Sequence, residues 1–310
     1  MNRLVVLGSV NADHVLRVPH FPRPGETLTG HGYQVVPGGK GANQAVAAAR
    51  LGAPVSFIAR IGDDAIGHQM QAGFAADGID VSAVERDEAL PTGIAIIYVS
   101  DEGENSIGIS AEANGALSPE MVKRHESMIA DAHTLLLQLE VPLESVFEAA
   151  RLARAHGTRV VLNPAPARPL SAELLALVDL ITPNQTEAEL LTGVPVTDEA
   201  SAREAAAGFH QLGIQEVMIT LGAQGVYCSN PSQQALIPGF RVTAIDTTAA
   251  GDTFNGALLA AQLAGHDFNG AVRFAHGAAA LSVTRLGAQS SIPSKAEVET
   301  FLLAQAAQGH

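Results

Sequence analysis

The chain has 310 residues, 47% of them apolar, enough to bury a large core and too apolar for a disordered tail. Its 18 Lys and Arg stand against 32 Asp and Glu, a formal charge of -14 that repels nucleic acid and anionic membrane surfaces. One cysteine, Cys228, excludes an intrachain disulfide and a cysteine-built zinc site, and with only three lysines (Lys40, Lys123, Lys295) an anionic ligand must rely on arginines, a metal or backbone N–H groups.

The opening MNRLVVLGSVNAD reads as a first core strand, Leu4–Gly8, because no small-residue cleavage site follows the apolar run. No window approaches the roughly 18 consecutive apolar residues of a membrane helix, so a cytoplasmic protein is expected. Further short β-branched runs, Val55–Ala59, Leu135–Leu139, Val160–Asn163, Leu180–Thr182 and Val217–Leu221, alternate with helical spacing near 41–51, 65–77, 143–156, 184–192 and 199–212. That alternation predicts an α/β fold, a mostly parallel sheet covered by crossover helices. Two regions break it: His14–Val18 with Thr27–Val36, and Gly93–Val99 with Asn105–Ser110, each hairpin-like. They predict a small second sheet, inserted from about 12–36 and 92–110 in a single-domain chain and placed to act as a lid. Val226–Cys228 and a strand near Ala235–Ile237 predict an antiparallel edge, followed by helices from about Gly251 to Gly265 and over Ala271–Val283.

Chemistry concentrates where strands end. In Asp246-Thr-Thr-Ala-Ala-Gly-Asp252 small residues lead into an apolar helix, so the N–H groups of Ala250, Gly251 and Asp252 are expected to face an anion. Asp252 beside them suits a base for a hydroxyl attacking a phosphoryl group, and an ordinary N-cap aspartate is the alternative. Gly38-Gly39-Lys40-Gly41-Ala-Asn43 also opens a helix, yet it lacks the upstream Gly and the Ser or Thr after Lys of a Walker A loop; it presents Lys40 and Asn43 to a hydroxylated ligand. Asn11 and Asp13 lie two apart on one side of an extended chain, suited to a vicinal diol, and Glu140 follows its strand similarly. Asn184 and Glu187 share a helix face, compatible both with a capping box and with orienting water around a phosphate-bound magnesium ion. Thr220-Leu-Gly222-Ala-Gln-Gly225 lets a flat moiety approach the backbone, and His276 lies in a small-residue helix that could line a nucleotide pocket or simply pack in the core.

Together the Gly38–Asn43 and Asp246–Asp252 segments resemble, in the expected order, the two signatures of the ribokinase-type (phosphofructokinase-B) carbohydrate kinases. Gly8-Ser-Val-Asn11-Ala-Asp13, Phe21-Pro-Arg-Pro-Gly25-Glu26-Thr27, Asn163-Pro-Ala-Pro-Ala167 and Asn184-x-x-Glu187 extend the resemblance from Leu4 to about Pro293. It implies a three-layer α/β/α body with a β lid that serves as a homodimer interface, and transfer of the ATP γ-phosphate to the 5-hydroxyl of D-ribose. It further implies that Asn11, Asp13, Gly39, Lys40, Asn43 and Glu140 bind sugar hydroxyls, that Asp252 is the base, and that Ala249, Ala250 and Gly251 hold the migrating phosphoryl group. By the same resemblance Asn184, Thr220, Leu221, Gly222, Ala223, Gln224, Gly225, Gly251 and His276 bind ATP, and Glu187 orients magnesium-bound water. A potassium-like activator is implied at Asp246, Thr248, Ser282, Arg285, Gly287 and Ser291. Sibling kinases for 2-deoxyribose or fructose, and a non-catalytic sugar-binding protein, are the alternatives. One position departs from the broad pattern D-T-x-G-A-G-D: Ala249 replaces its first Gly.

Overall fold

Alternation along β1 (Leu4–Leu7) sets the layers of the computed structural model, which describes residues 3–307. Leu4 and Val6 enter the core on one face of the sheet, Val5 and Leu7 the core on the other. The first face is covered by α1 (Lys40–Arg50), α2 (Ala65–Ala76), α9 (Ala250–Leu263), α10 (Phe268–Ser282) and α11 (Lys295–Ala307). The second is covered by α3 (Pro119–Arg124), α4 (Glu126–Ala130), α5 (Leu143–His156), α6 (Ala172–Leu175), α7 (Gln185–Thr192) and α8 (Glu199–Gln211). Because both faces are buried, β1 is a continuous run of Leu and Val with no polar side.

The sheet between them has nine strands. Beside β1 run β4 (Val55–Gly62) and β5 (Val84–Asp87) on one flank, and β8 (Thr134–Leu137), β9 (Arg159–Leu162), β10 (Leu180–Ile181) and β11 (Glu216–Thr220) on the other, all parallel. Then β12 (Val226–Ser229) turns antiparallel and β13 (Gln234–Ile237) closes the edge. The α/β class expected from the alternation, and the three-layer α/β/α body implied by the resemblance, are therefore the architecture observed. Among the described residues no helix is long and apolar enough to cross a membrane.

The interrupting hairpins form a separate four-stranded sheet. Here β2 (Asn11–Val18) pairs antiparallel with β3 (His31–Gly38) and parallel with β6 (Gly93–Ser100), which pairs with β7 (Asn105–Ser110). These strands reach closer to the body than the sequence indicates, since β2 already starts at Asn11 and β3 runs to Gly38. Only Gly8, Ser9 and Val10 separate β1 from β2, so the chain passes directly from the main sheet into the small one. Strand β5 and helices α3, α4 and α6 have no counterpart among the expected elements, whereas α11 continues the helices expected after the antiparallel edge. The first four span four to six residues each, too short to show a hydrophobic period.

Candidate active site

The central carboxylate is placed by two helices whose backbones nearly touch. At Gly256 of α9 a Cβ would stand 2.6 Å from Ala47 Cβ and 2.7 Å from the main chain of Ala48 and Gln44 in α1. This approach carries Asn43 and Gln44 to Asp252, which is 7% exposed: Asn43 Nδ2 donates to Asp252 Oδ2 at 3.0 Å and Gln44 Nε2 to Oδ1 at 2.9 Å. Asp252 is the third residue of α9, and the N-cap is Ala249, so a simple capping aspartate is excluded. Ala249 holds the left-handed conformation (φ 59, ψ 14), where an L-residue costs about 1–2 kcal/mol. The position where the family pattern has glycine is thus one whose backbone favours glycine. Beyond it, the N–H groups of Gly251 and Asp252 have no protein acceptor, as the first turn of a helix requires. The Ala250 N–H departs from expectation by making a 3.3 Å turn bond to the Thr247 carbonyl.

On the small-sheet side, Asn11, Asp13, Lys40, Asn43 and Glu140 converge. Gly39 (φ 92) allows the turn into α1, where a Cβ would lie 2.8 Å from Asn11 N and 2.9 Å from Ser9 O. Glu140 Oε2 accepts from Ser9 Oγ (2.6 Å) and from the Lys40 N–H (3.0 Å). Asn114 clamps the β1–β2 junction, donating to Val10 O and Asn11 Oδ1 and accepting from Val10 N. Asn43 Oδ1 is buried without a partner, and among the described residues no group donates to the Asp13 carboxylate. Burial, with the Glu140 and Asp252 charges adding to it and Lys40 opposing, pushes Asp13 up from 3.8 to about 7. Burial alone would lower Lys40; Asp252, Glu140, Glu187 and Asp13 together outweigh it and hold the ammonium above its usual range.

On the other side of Asp252 two cavities meet at Thr220, Thr247, Ala250 and Gly251. The smaller, about 210 Å³, is lined by Lys40, Asn184, Glu187, Ala249 and Asp252. The larger, about 560 Å³, is lined by Gly222, Ala223, Gly225 and His276, joined by Phe240 and Phe254. Leu221 and Gln224 fall outside it: the Leu221 side chain is in the core, and Gln224 points to solvent. His276 packs edge-to-face on Phe254 (5.4 Å), and its buried Nε2 has no partner. Burial pushes this imidazole down to about 4 against a hydrogen bond with the Ile237 backbone, so it is neutral near pH 7. Asn184 and Glu187 form the expected capping box on α7, with Glu187 Oε2 accepting from Asn184 N at 2.8 Å. Burial raises the Glu187 carboxyl against the Asn184 hydrogen bond and Lys40.

The remaining expected residues gather at one loop pair. Asp246 accepts from the N–H groups of Thr248 and Gly287, both at 2.9 Å, and these bonds outweigh burial to hold its carboxyl below the usual range. The side chains of Ser282, Ser291 and Arg285 are engaged with Ala279 O, Ala288 O and Glu297 respectively. These residues bring main-chain and hydroxyl oxygen together beside one ionised carboxylate, a donor set suited to a monovalent cation. Among the described residues no group of three or more His, Cys, Asp or Glu could hold a metal ion. Glu187 therefore fits magnesium only through water, with phosphate oxygens completing the shell.

Sequence reasoning missed Ser9, Gln44, Asn114, Gln138 and Phe240. Ser9 lies inside the Gly8–Asp13 motif and Gln44 directly follows the Gly38–Asn43 segment, while nothing local marks Asn114, Gln138 or Phe240. A further cleft of about 360 Å³ opens at the N-terminal strand ends, where Arg154 pairs with Asp179 and Arg159 with Glu216, leaving no uncompensated charge for a ligand.

The family described as pfkB family carbohydrate kinase matches residues 1–295. The chain is 56% identical to the ribokinase of Haemophilus influenzae over 299 residues, covering 96% of this chain and 98% of that one. It is 44% identical to the ribokinase of Staphylococcus aureus over 299 residues, with the same coverage of 96% and 98%. A solved structure, Arabidopsis thaliana ribokinase complexed with ribose and ATP, superposes with a TM-score of 0.91 at 33% identity, covering 97% of this chain and 98% of that one. With the family matched over residues 1–295 and a relative 56% identical over 96% of its length, the chain belongs to the pfkB family of carbohydrate kinases.

Proposed function

We propose that this enzyme transfers the γ-phosphoryl group of ATP to the 5-hydroxyl of D-ribose, yielding D-ribose 5-phosphate and ADP. The observation that carries the reading is the position of Asp252, buried between the hydroxyl-binding groups and the two joined cavities, with the free Gly251 N–H at its side. The ribose oxygen forms a bond to the γ-phosphorus as the bond to the ADP oxygen breaks, and the hydroxyl proton passes to the Asp252 carboxylate. Asn11, Asp13, Asn43 and Glu140 orient the sugar, and carboxylates at that end disfavour a sugar already phosphorylated. Magnesium, held by the ATP phosphates and by water on Glu187, supplies charge neutralisation. Lys40 and the Gly251 N–H supply the protein's share. Potassium at the Asp246 loop adds positive potential beside the anion site. ATP as co-substrate and one unpaired cysteine suit the cytoplasm.

The test is ATP-dependent phosphorylation of D-ribose, 2-deoxy-D-ribose, D-fructose and adenosine in parallel, with magnesium, in potassium or in sodium. We expect the highest kcat/KM for D-ribose and a lower rate in sodium. Preference for another acceptor overturns the sugar assignment, and equal rates in both salts overturn the cation loop.

Asp13 yields a separable prediction. Its pKa is raised on folding, so its carboxylate penalises the ligand-free fold progressively as pH rises from about 4 through 7. Asp13→Asn should therefore raise the melting temperature of the ligand-free protein at pH 8, with no gain near pH 4, while weakening D-ribose binding in calorimetry. A melting temperature unchanged at pH 8 contradicts the buried-carboxylate account, and unchanged affinity removes Asp13 from the sugar site.

The small sheet further supports a homodimer. It exposes Tyr33 (61%), Ile107 (52%) and Ile109 (50%), a concentration of apolar surface that a second copy would cover. Light scattering at micromolar protein should return twice the chain mass; a monomeric mass rejects this assembly.

A further inference from the structure

Three carboxamides, those of Gln138, Gln44 and Asn163, form a directed chain that ends on Asp252 and on the Thr182 carbonyl. Gln44 is completely buried, and its Nε2 lies 2.9 Å from both Asp252 Oδ1 and Asn163 Oδ1, so both of its N–H groups are committed. Its Oε1 accepts from Gln138 Nε2 at 2.6 Å. Polarity along this chain is forced from both ends. The Asp252 carboxylate and the Thr182 carbonyl accept only; Asn163 Nδ2 must then face Thr182 O (3.0 Å), which leaves Asn163 Oδ1 for Gln44. Turning the Gln44 amide over would set its oxygen against two acceptors and its NH₂ against the Gln138 donor.

We propose that Gln44 is the positioning residue for the base: held by Gln138 and Asn163 at the ends of β8 and β9, it fixes the rotamer of Asp252 and so the direction in which its free lone pairs point. The inference rests on Asp252 being the base. Asn43 holds the second oxygen, so the two bonds together leave one defined direction from which the carboxylate can take the hydroxyl proton. Lys40 from α1, Asp13 from β2 and Glu187 from α7 also act on this carboxylate through space, but none of them hydrogen-bonds it and none can set its rotamer.

The experiment compares Gln44→Met, the isosteric Gln44→Glu and Asp252→Asn with the parent enzyme, measuring kcat and KM at saturating ATP and magnesium. Removing a donor to a charged acceptor should lower kcat at pH 7 by about 10- to 100-fold. The KM for D-ribose should stay within about threefold, because the substrate does not touch Gln44. Gln44→Glu keeps the length of the side chain but sets an acceptor against Asp252, so its kcat should fall at least as far as that of Gln44→Met. Either variant that folds suffices, folding being read from its melting curve. An unchanged kcat, with or without a rise in KM, overturns the inference while an inactive Asp252→Asn leaves the base assignment standing. A fully active Asp252→Asn instead overturns the base assignment and this inference with it.

Discussion

Replacing Asp252 by asparagine should lower kcat for D-ribose phosphorylation by about 10²- to 10⁴-fold, the span that a positioned general base contributes. The side chain keeps its shape but loses the basic oxygen, and its new NH₂ must face either Asn43 Nδ2 or Gln44 Nε2, both donors. One of the two buried hydrogen bonds is lost in addition to the proton acceptor. Asn11, Asp13 and Glu140 on the small-sheet side make no hydrogen bond to Asp252 and are untouched, so the KM for D-ribose should change only a few-fold. Residual turnover should persist, because the Gly251 N–H and the positioning of the two substrates remain. Steady-state kinetics with the purified variant decide the matter, and a kcat close to that of the parent removes Asp252 from proton transfer.

Gly256→Ala should damage both stability and turnover, although it lies a full turn beyond the base. The added methyl would sit 2.6 Å from Ala47 Cβ and 2.7 Å from main-chain atoms of α1, where no flexible side chain can yield. Overpacking of this kind costs about 1–3 kcal/mol, more than the up to roughly 1 kcal/mol that alanine gains over glycine inside a helix. Relief requires α1 and α9 to separate, and α1 carries Lys40, Asn43 and Gln44. A shift of roughly 1 Å at that interface should cost on the order of 10²-fold in kcat. A melting temperature lower by several degrees should accompany it. Unaltered melting and unaltered kcat would mean that the two helices adjust without moving the base.

Much of this site was legible before any coordinates because its motifs sit where strands end and helices begin. Asp252, Lys40, Asn43, Asn184 and Glu187 each stand in the first turn of a helix or at its cap, where sequence marks both the element and the direction of its free N–H groups. The capping box at Asn184 and Glu187 is a three-residue pattern, and local spacing alone specifies it. The Asp252 N-cap alternative failed for a reason equally local in space but not in pattern. Ala249 takes the left-handed turn and becomes the cap, which no preference for alanine would suggest.

Strand order, by contrast, depends on contacts far apart in the chain. The sequence by itself determined the α/β class, the antiparallel edge, the second small sheet and most of the polar residues at the strand ends, because hydrophobic period, turn residues and short motifs are local properties. Only the tertiary structure decided that Asn114, 103 positions from Asn11, would clamp it, and that Gln44, Gln138 and Asn163 would meet at Asp252. Those carboxamides are buried in a low-dielectric interior, where each must find partners that the fold alone can bring within 3 Å. The glycine that permits it, Gly256, is informative only once the helix it faces is known to be α1.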